Sequence, residues 1–584
     1  MSMDITNKIR ILETIIKIPY YMVIGYTHGR LIYYSTIEGI TNIWSLDVES
    51  KVKRRLTREP ISQVAEPKPD SPYVIYTRDV TKGKEHHKIY YVDSKGREEK
   101  LLIDTPSMRI FSIAFDSEKI VFTGATTKDM ALYIGKWNGS WEKVQKLSTL
   151  TFVADVNDKY IVGHGTLKNN PKTLEIFIYD METGIMKIYT PREGSVNKEP
   201  KLMGTKVLFE SNFKGKNRLY IYDINEGALS EVKYRFKDYD IFDPIEHVNY
   251  GWTKDGRIWV IGEREGRSKL FIDGKEVKTP QGFINNAVIV EDKAYVSLSS
   301  LREPHRILEV DLKTNNINVV IDNKLPKEIE ERIGEVKFIR YKSFDGLEIP
   351  TFIIESYLVS KPGPTIIYVH GGPWSEVVDA WNRVIVSLVA SGYHVIAPNF
   401  RGSTGYGEEF RTLDIGDPGG GDLMDIVYAR KWAIENGLAD KIAIMGYSYG
   451  GYMTYLALGK YPHLWSCGIA GAGIVDWEEM YVLSDAIFRK FIETLFASKR
   501  ELLRERSPIA YVEKVKAPLC IIHPQNDTRT PLKPVLKYMS KLLEQGKTFE
   551  VHIIPDMGHR ILTVEDALRV LLPTIMFLEK YMKP

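Results

Sequence analysis

One serine in this chain has neighbours suited to nucleophilic chemistry. The run Ile442-Ala-Ile-Met445 is apolar and strand-like, Gly446-Tyr447-Ser448-Tyr449-Gly450 follows with the spacing G-x-S-x-G, and Met453–Leu458 is helix-forming. Strand, sharp turn and helix form the setting of a nucleophile elbow, in which the turn lifts a serine hydroxyl above a sheet edge. The glycines at 446 and 450 fit there because a Cβ would collide with the adjoining strand and helix. A serine hydroxyl is a weak nucleophile near neutral pH, so it needs a base, and the base needs an orienting acid. Where an elbow carries such a triad, the chain order is Ser, acid, His.

The histidines after Ser448 are His463, His523, His552 and His559. His463 falls at the end of the helix that carries Ser448, and His523 and His552 lie inside strand-like runs. His559 follows the strand-like run Glu550–Pro555 through a short loop, the place where parallel sheets build their sites. Asp527 is expected to be the acid, just past Leu519–His523, with Asp476 as the competing candidate. An acyl-transfer intermediate also needs N–H donors for its oxyanion. Tyr449, next to the serine, should supply one, and Gly372 of His370-Gly371-Gly372-Pro373 the other. His370 then reads as a structural turn residue.

Two kinds of scaffold must position these groups. From Gly29 to Asn323 one phrase recurs seven times: an apolar alternating strand, then a turn rich in Asp, Asn, Lys and Gly. The copies begin at Asn42, Lys88, Ala131, Leu174, Arg218, Lys269 and Arg306, and are spaced 37–51 residues apart. Second strands precede them at Arg30, Tyr73, Lys119, Tyr160, Lys206, Arg257 and Lys293. That period predicts a seven-bladed β-propeller over residues 21–326. The repeats share no polar constellation, so the propeller reads as structural and without chemistry of its own. His86-His87 has no third ligand close in sequence, so no metal is expected.

After Pro326 strands and helices alternate, which predicts an α/β domain over 327–584 with eight mostly parallel strands, on the α/β-hydrolase plan. Residues 1–20 read as an amphipathic helix, not a secretion leader, docking on that domain.

The 584 residues exceed what one core can serve, so the chain is multidomain. It has 43% hydrophobic and 27% charged residues and a formal net charge of +3, which predicts neither nucleic-acid nor membrane partners. Two cysteines, Cys467 and Cys520, exclude a disulfide scaffold and a cysteine-based zinc site. Five glutamines against abundant Lys and Glu is a bias associated with hyperthermophile proteins.

Taken together, Gly446–Tyr452, His370–Pro373, Asn399–Gly407 and Pro524–Arg529 resemble the prolyl oligopeptidase family, and within it the archaeal acylaminoacyl peptidases. The resemblance spans the whole chain. It implies Ser448, Asp527 and His559 as catalytic triad, Gly372 and Tyr449 as oxyanion donors, and no cofactor. It further implies that Arg529 holds the acyl end of the substrate and that Phe488, Phe491 and Ile492 line the S1 pocket. A salt bridge for Arg529 and plain core packing for the three apolar residues are the structural alternatives. Dipeptidyl peptidases of the family grip a free α-amino group with paired propeller glutamates. No convincing counterpart stands out here, which favours short N-acylated peptides as substrates. A cytoplasmic serine exopeptidase with added esterase activity is the implied function. Dipeptidyl peptidase, prolyl oligopeptidase, carboxylesterase and a propeller binding module with an inert hydrolase are the alternatives, and a homo-oligomer is left open.

Overall fold

The computed structural model describes residues 5–233 and 244–583. Residues 1–4 of the expected N-terminal helix lie outside them.

Seven four-stranded antiparallel sheets are built from consecutive segments: 21–55, 63–103, 109–147, 151–189, 197–231, 246–277 and 283–321. These are blades 1 to 7. The two strands visible in each sequence repeat are the middle strands of its blade. They are apolar because both faces are covered by neighbouring blades; Tyr160–Gly165, for instance, is buried throughout. The outer strands, such as Lys53–Arg55 and Leu229–Glu231, face solvent and are polar. Among the described residues no strand is exchanged between the first and last blades. They meet through an apolar cluster of Tyr21, Val23, Leu31 and Tyr33 with Tyr295, Ile307 and Ile321. Two hydrogen bonds reinforce that contact: Val23 N–H to Ser297 Oγ at 2.6 Å and Asn286 Nδ2 to the Val23 carbonyl at 3.0 Å.

The C-terminal sheet comprises β1 (Ile333–Lys342), β2 (Glu348–Ser356), β3 (Gly363–Val369), β4 (His394–Pro398), β5 (Ala439–Tyr447), β6 (Cys467–Gly471), β7 (Leu519–Pro524) and β8 (Phe549–Ile554). Their order is β1-β2-β4-β3-β5-β6-β7-β8. β1 and β2 pair antiparallel with their neighbours and the rest are parallel, the α/β-hydrolase arrangement. β3, β5 and β6 are buried from both sides, so they read as continuous apolar runs. Cys467 and Cys520 are free and buried on adjacent strands.

The N-terminal helix, Ile5–Lys17, seats Ile11, Leu12, Ile15 and Ile16 in the core shared with helices Arg383–Ala390 and Val564–Tyr581. Its inward Lys8, 2% exposed, pairs with Glu579, which also accepts from Tyr393 Oη at 2.7 Å. Among the described residues no helix is long and apolar enough to cross a membrane.

Candidate active site

Ser448 stands between β5 and the helix Tyr449–Lys460 with φ 59° and ψ −120°, a backbone state that L-residues rarely occupy. The neighbours fix it there. Ser448 N–H donates to the Gly471 carbonyl at 2.9 Å. A Cβ on Gly446 would come within 2.4 Å of Gly450 C, and one on Gly450 within 2.0 Å of the Val369 carbonyl oxygen. The G-x-S-x-G spacing is therefore a packing requirement of the turn.

His559 arrives from the loop after β8, with its Nε2 2.9 Å from Ser448 Oγ. Its Nδ1 lies 2.7 Å from Asp527 Oδ2, on the loop after β7. Tyr447 Oη donates to the His559 carbonyl at 3.0 Å and steadies the loop. Asp527 is 5% exposed, yet its oxygens are well supplied with donors. Oδ1 accepts from the N–H groups of Arg529 and Thr530, both at 2.9 Å, and Oδ2 from Thr530 Oγ1 at 2.8 Å. Burial opposes its ionisation, but the charge and hydrogen bond of His559, helped by His523 and the Thr530 N–H, hold the carboxyl down at about 2. Asp527 is thus an anion that keeps its proton-bearing partner on Nδ1 and leaves Nε2 facing the serine.

The other candidates lie elsewhere. Asp476 caps the helix Trp477–Leu483, accepting from Glu479 N–H at 3.0 Å. His523 braces the acid loop, with Nε2 2.8 Å from the Thr530 carbonyl. His87 is buried against Ile110 and held neutral, pushed down to about 4 chiefly by burial.

Tyr449 is the first residue of its helix, so its N–H has no intrahelical acceptor. Its phenol is buried on Asp422, 2.6 Å away. Gly371 runs over the elbow so closely that a Cβ on it would stand 3.4 Å from Ser448 Cβ. Gly372 follows with φ 125°, a conformation that favours glycine, and is exposed. His370 underpins this loop. It stacks on Phe400 at 4.3 Å, bonds Ser403 Oγ at 2.9 Å, and is held neutral by burial, at about 4.

Sequence comparison adds the family. Residues 380–584 match the prolyl oligopeptidase family, and residues 32–308 match the N-terminal domain described as acylamino-acid-releasing enzyme-like. The chain belongs to the prolyl oligopeptidase family. It is 31% identical over 232 residues to acylamino-acid-releasing enzyme 2 of rice, Oryza sativa, a match covering 37% of this chain and 30% of the rice protein. The chain thus spans under a third of that relative's length in the match. Among solved structures it is similar to the Pyrococcus horikoshii acylaminoacyl peptidase, with TM-score 0.71 and 20% identity over 98% of this chain and 97% of that one. It is also similar to a Mycobacterium tuberculosis puromycin-hydrolyzing peptidase, with TM-score 0.82 and 14% identity over 98% and 96% of the two chains. At these identities the structural likenesses concern the fold alone.

In this prolyl oligopeptidase-family chain the propeller enters the site, which corrects the sequence expectation that it has no chemistry of its own. The loop 80–86 of blade 2 is clasped by both loops that carry the triad. Asn526 Nδ2 donates to the Lys82 carbonyl at 2.9 Å, Lys82 pairs with Asp556 at 3.2 Å, and Gly83 abuts Gly558 with no room for a Cβ on either. Glu85, at the end of that loop, takes Arg529 in a two-pronged bond, Nε at 2.9 Å and Nη2 at 2.5 Å. It also pairs with Arg109 of blade 3, which reaches Asp485 at 2.7 Å and Thr528 Oγ1 at 2.9 Å. Arg529 therefore makes the salt bridge that its alternative reading allowed, but to the other domain.

Phe488, on the helix Ala486–Leu495, lies under both guanidiniums, 4.9 Å from Arg109 and 5.9 Å from Arg529. Phe491 sits 6.0 Å from Phe488 and edge-on to Trp374 at 5.6 Å. Both rings are partly exposed. Ile492 differs: at 1% exposure it packs into the domain core with Leu495 and Phe496.

Sequence reading missed Glu85, Arg109, Asp485 and Thr528. Glu85 lies in Lys82-Gly-Lys-Glu-His-His87, where its φ of 57° and its partner 444 residues away leave no local pattern.

Proposed function

We propose that this protein is a serine peptidase that removes an N-acylated residue from short peptides through an acyl-enzyme on Ser448. The observation that carries the reading is the unbroken relay from Ser448 Oγ to His559 Nε2 and from His559 Nδ1 to Asp527. As Ser448 Oγ attacks the scissile carbonyl, its proton passes to His559, and the ionised Asp527 stabilises the resulting imidazolium. The N–H groups of Tyr449 and Gly372 receive the oxyanion as it forms. His559 then protonates the leaving amine, the shortened peptide departs, and water enters by the same relay to free the acyl amino acid.

Charge at the other end of the site favours a blocked N-terminus. A free α-ammonium needs an unengaged carboxylate, and Glu85 is already held by two arginines. An acyl carbonyl is neutral and accepts hydrogen bonds, so Arg529 suits it. The propeller covers the triad edge of the sheet and would keep folded proteins out, while long chains would lose conformational freedom on threading.

A fluorophosphonate probe tests the nucleophile. It should label one serine, Ser448, and Ser448→Ala should lose labelling together with peptide and ester hydrolysis while keeping the wild-type melting point. Ester hydrolysis at the wild-type rate in Ser448→Ala would disprove the assignment.

A further inference from the structure

His559 donates its proton to the leaving amine, so the released peptide must extend past His559 and the residues beside it. The next residue is Arg560. Its guanidinium donates to the Ser62 carbonyl of the propeller and, among the described residues, has no carboxylate partner. It is only partly exposed, and its charge is poorly solvated: burial and the neighbouring Arg529 both press against protonation, with only the Tyr34 phenol opposing them. An arginine in such a place is expected to be paired.

Arg560 lines a cavity of about 770 Å³ on the propeller side of the triad. The walls come from blades 1 to 5 and are mixed in character, with Tyr34, Ser62, Gln63, Phe111 and Phe152 among them. Besides the phenols of Tyr20 and Tyr34, the other ionisable groups lining it are His164 and Glu199, from blades 4 and 5, which face each other at 3.7 Å; burial holds His164 below its ordinary value. Glu199 makes no ion pair with Arg560. The cavity thus offers one unpaired cation beside the catalytic histidine, with polar and aromatic surface around it.

We infer that Arg560 binds the C-terminal carboxylate of the peptide substrate, so that the cavity recognises the end of the leaving peptide. This rests on the peptidase reading above and gives it a second size criterion. Arg560 is one residue beyond His559 in the chain, and three extended residues of leaving peptide span roughly 10 Å, a reach suited to a guanidinium beside the catalytic histidine. Substrates whose carboxylate falls one to three residues after the cleaved bond satisfy the arginine. Longer ones place an uncharged peptide group there and leave the charge unpaired. The carboxylate and guanidinium make a charge-assisted, two-pronged bond of the kind arginine is shaped for.

The test compares acetyl-Ala-Ala-Ala with its C-terminal carboxamide, taking acetyl-alanine p-nitroanilide, which has no carboxylate, as the reference for each protein. Wild type should favour the free acid by about 10-fold to 100-fold in kcat/KM. Arg560→Gln should bring that ratio close to one, and Arg560→Lys should restore part of it. The preference should fade as alanines are added beyond the third leaving residue. Equal rates on acid and amide by the wild type, with the anilide turned over, would overturn the inference and leave the peptidase reading standing. An undiminished ratio in Arg560→Gln would overturn it equally. Failure to cleave all three compounds would remove the peptidase reading and the inference with it. The wild-type comparison decides the matter even if both variants fail to fold.

Discussion

Two seams of opposite character hold the propeller to the C-terminal domain. At the triad, Glu85 bridges Arg109 and Arg529 while Asp485 pairs with Arg109, so both anions have a cation in contact. On the other side, around the loop that runs on from Gly372, carboxyls crowd together. Lys198 serves Glu210 at 3.0 Å, Glu246 at 3.3 Å and Glu408 at 3.0 Å, and Glu246 also accepts from Gly407 N–H at 3.0 Å. Glu263 of blade 6 and Glu376 of the C-terminal domain, both buried, act on each other across the seam. Each keeps one buried oxygen that, among the described residues, no donor reaches. Two neighbouring carboxyls with unpartnered buried oxygens favour holding a proton over two bare charges. Burial and the neighbouring carboxylates raise Glu263 well above its usual range, and burial with Glu246 raises Glu376 to about 7. The arginine seam sets each carboxylate against a cation, whereas the carboxyl seam depends on a proton that can leave.

The same Glu→Gln change should therefore act in opposite directions at the two seams. Glu85→Gln leaves the buried Arg109 and the partly exposed Arg529 facing a neutral amide, a loss of about 3–5 kcal/mol for breaking the buried Arg109–Glu85 pair. Its unfolding midpoint should fall by several degrees and kcat/KM should drop, since blade 2 would no longer brace the loops of Asp527 and His559. A midpoint unchanged from wild type would mean that the seam contributes nothing to the domain contact.

Glu376→Gln should do no such harm and should help above neutral pH. A carboxyl whose folded value lies above its unfolded one binds more protons in the native state, so wild-type stability falls as pH rises from about 4.5 to 7. The glutamine removes that loss, on the order of 3 kcal/mol. The midpoint of Glu376→Gln should match or trail wild type at pH 4.5 and exceed it at pH 8. A variant that is less stable than wild type at pH 8 would refute the protonated carboxyl at 376.

The seams also show what the sequence could disclose. The middle strands of every blade were readable because each is an apolar run buried on both faces, while outer strands such as Lys53–Arg55 look like ordinary polar turns. Ser448 was readable because the elbow imposes glycines at fixed offsets, and Asp527 and His559 because parallel strands deliver loops to one edge. Glu85, Arg109 and Arg560 had no such signature. Their roles depend on which loops meet across a domain boundary, and nothing local fixes that. The helix Ala486–Leu495 escaped for a related reason: one side joins the domain core through Ile492 and the other meets blade 3 and blade 4 residues, so its apolar pattern is split between two partners.

The claim that joins these observations is that the arginine seam selects substrates whose N-terminus carries no charge. The direct measurement is kcat/KM for acetyl-Ala-Ala-Ala against unblocked Ala-Ala-Ala at pH 7.5, with products identified by mass. The account predicts release of acetyl-alanine from the blocked peptide and a rate at least about 100-fold lower on the free one, the effect of leaving an ammonium beside two arginines without a carboxylate of its own. Equal or faster cleavage of the free peptide, with Ala-Ala released from its N-terminus, would contradict it.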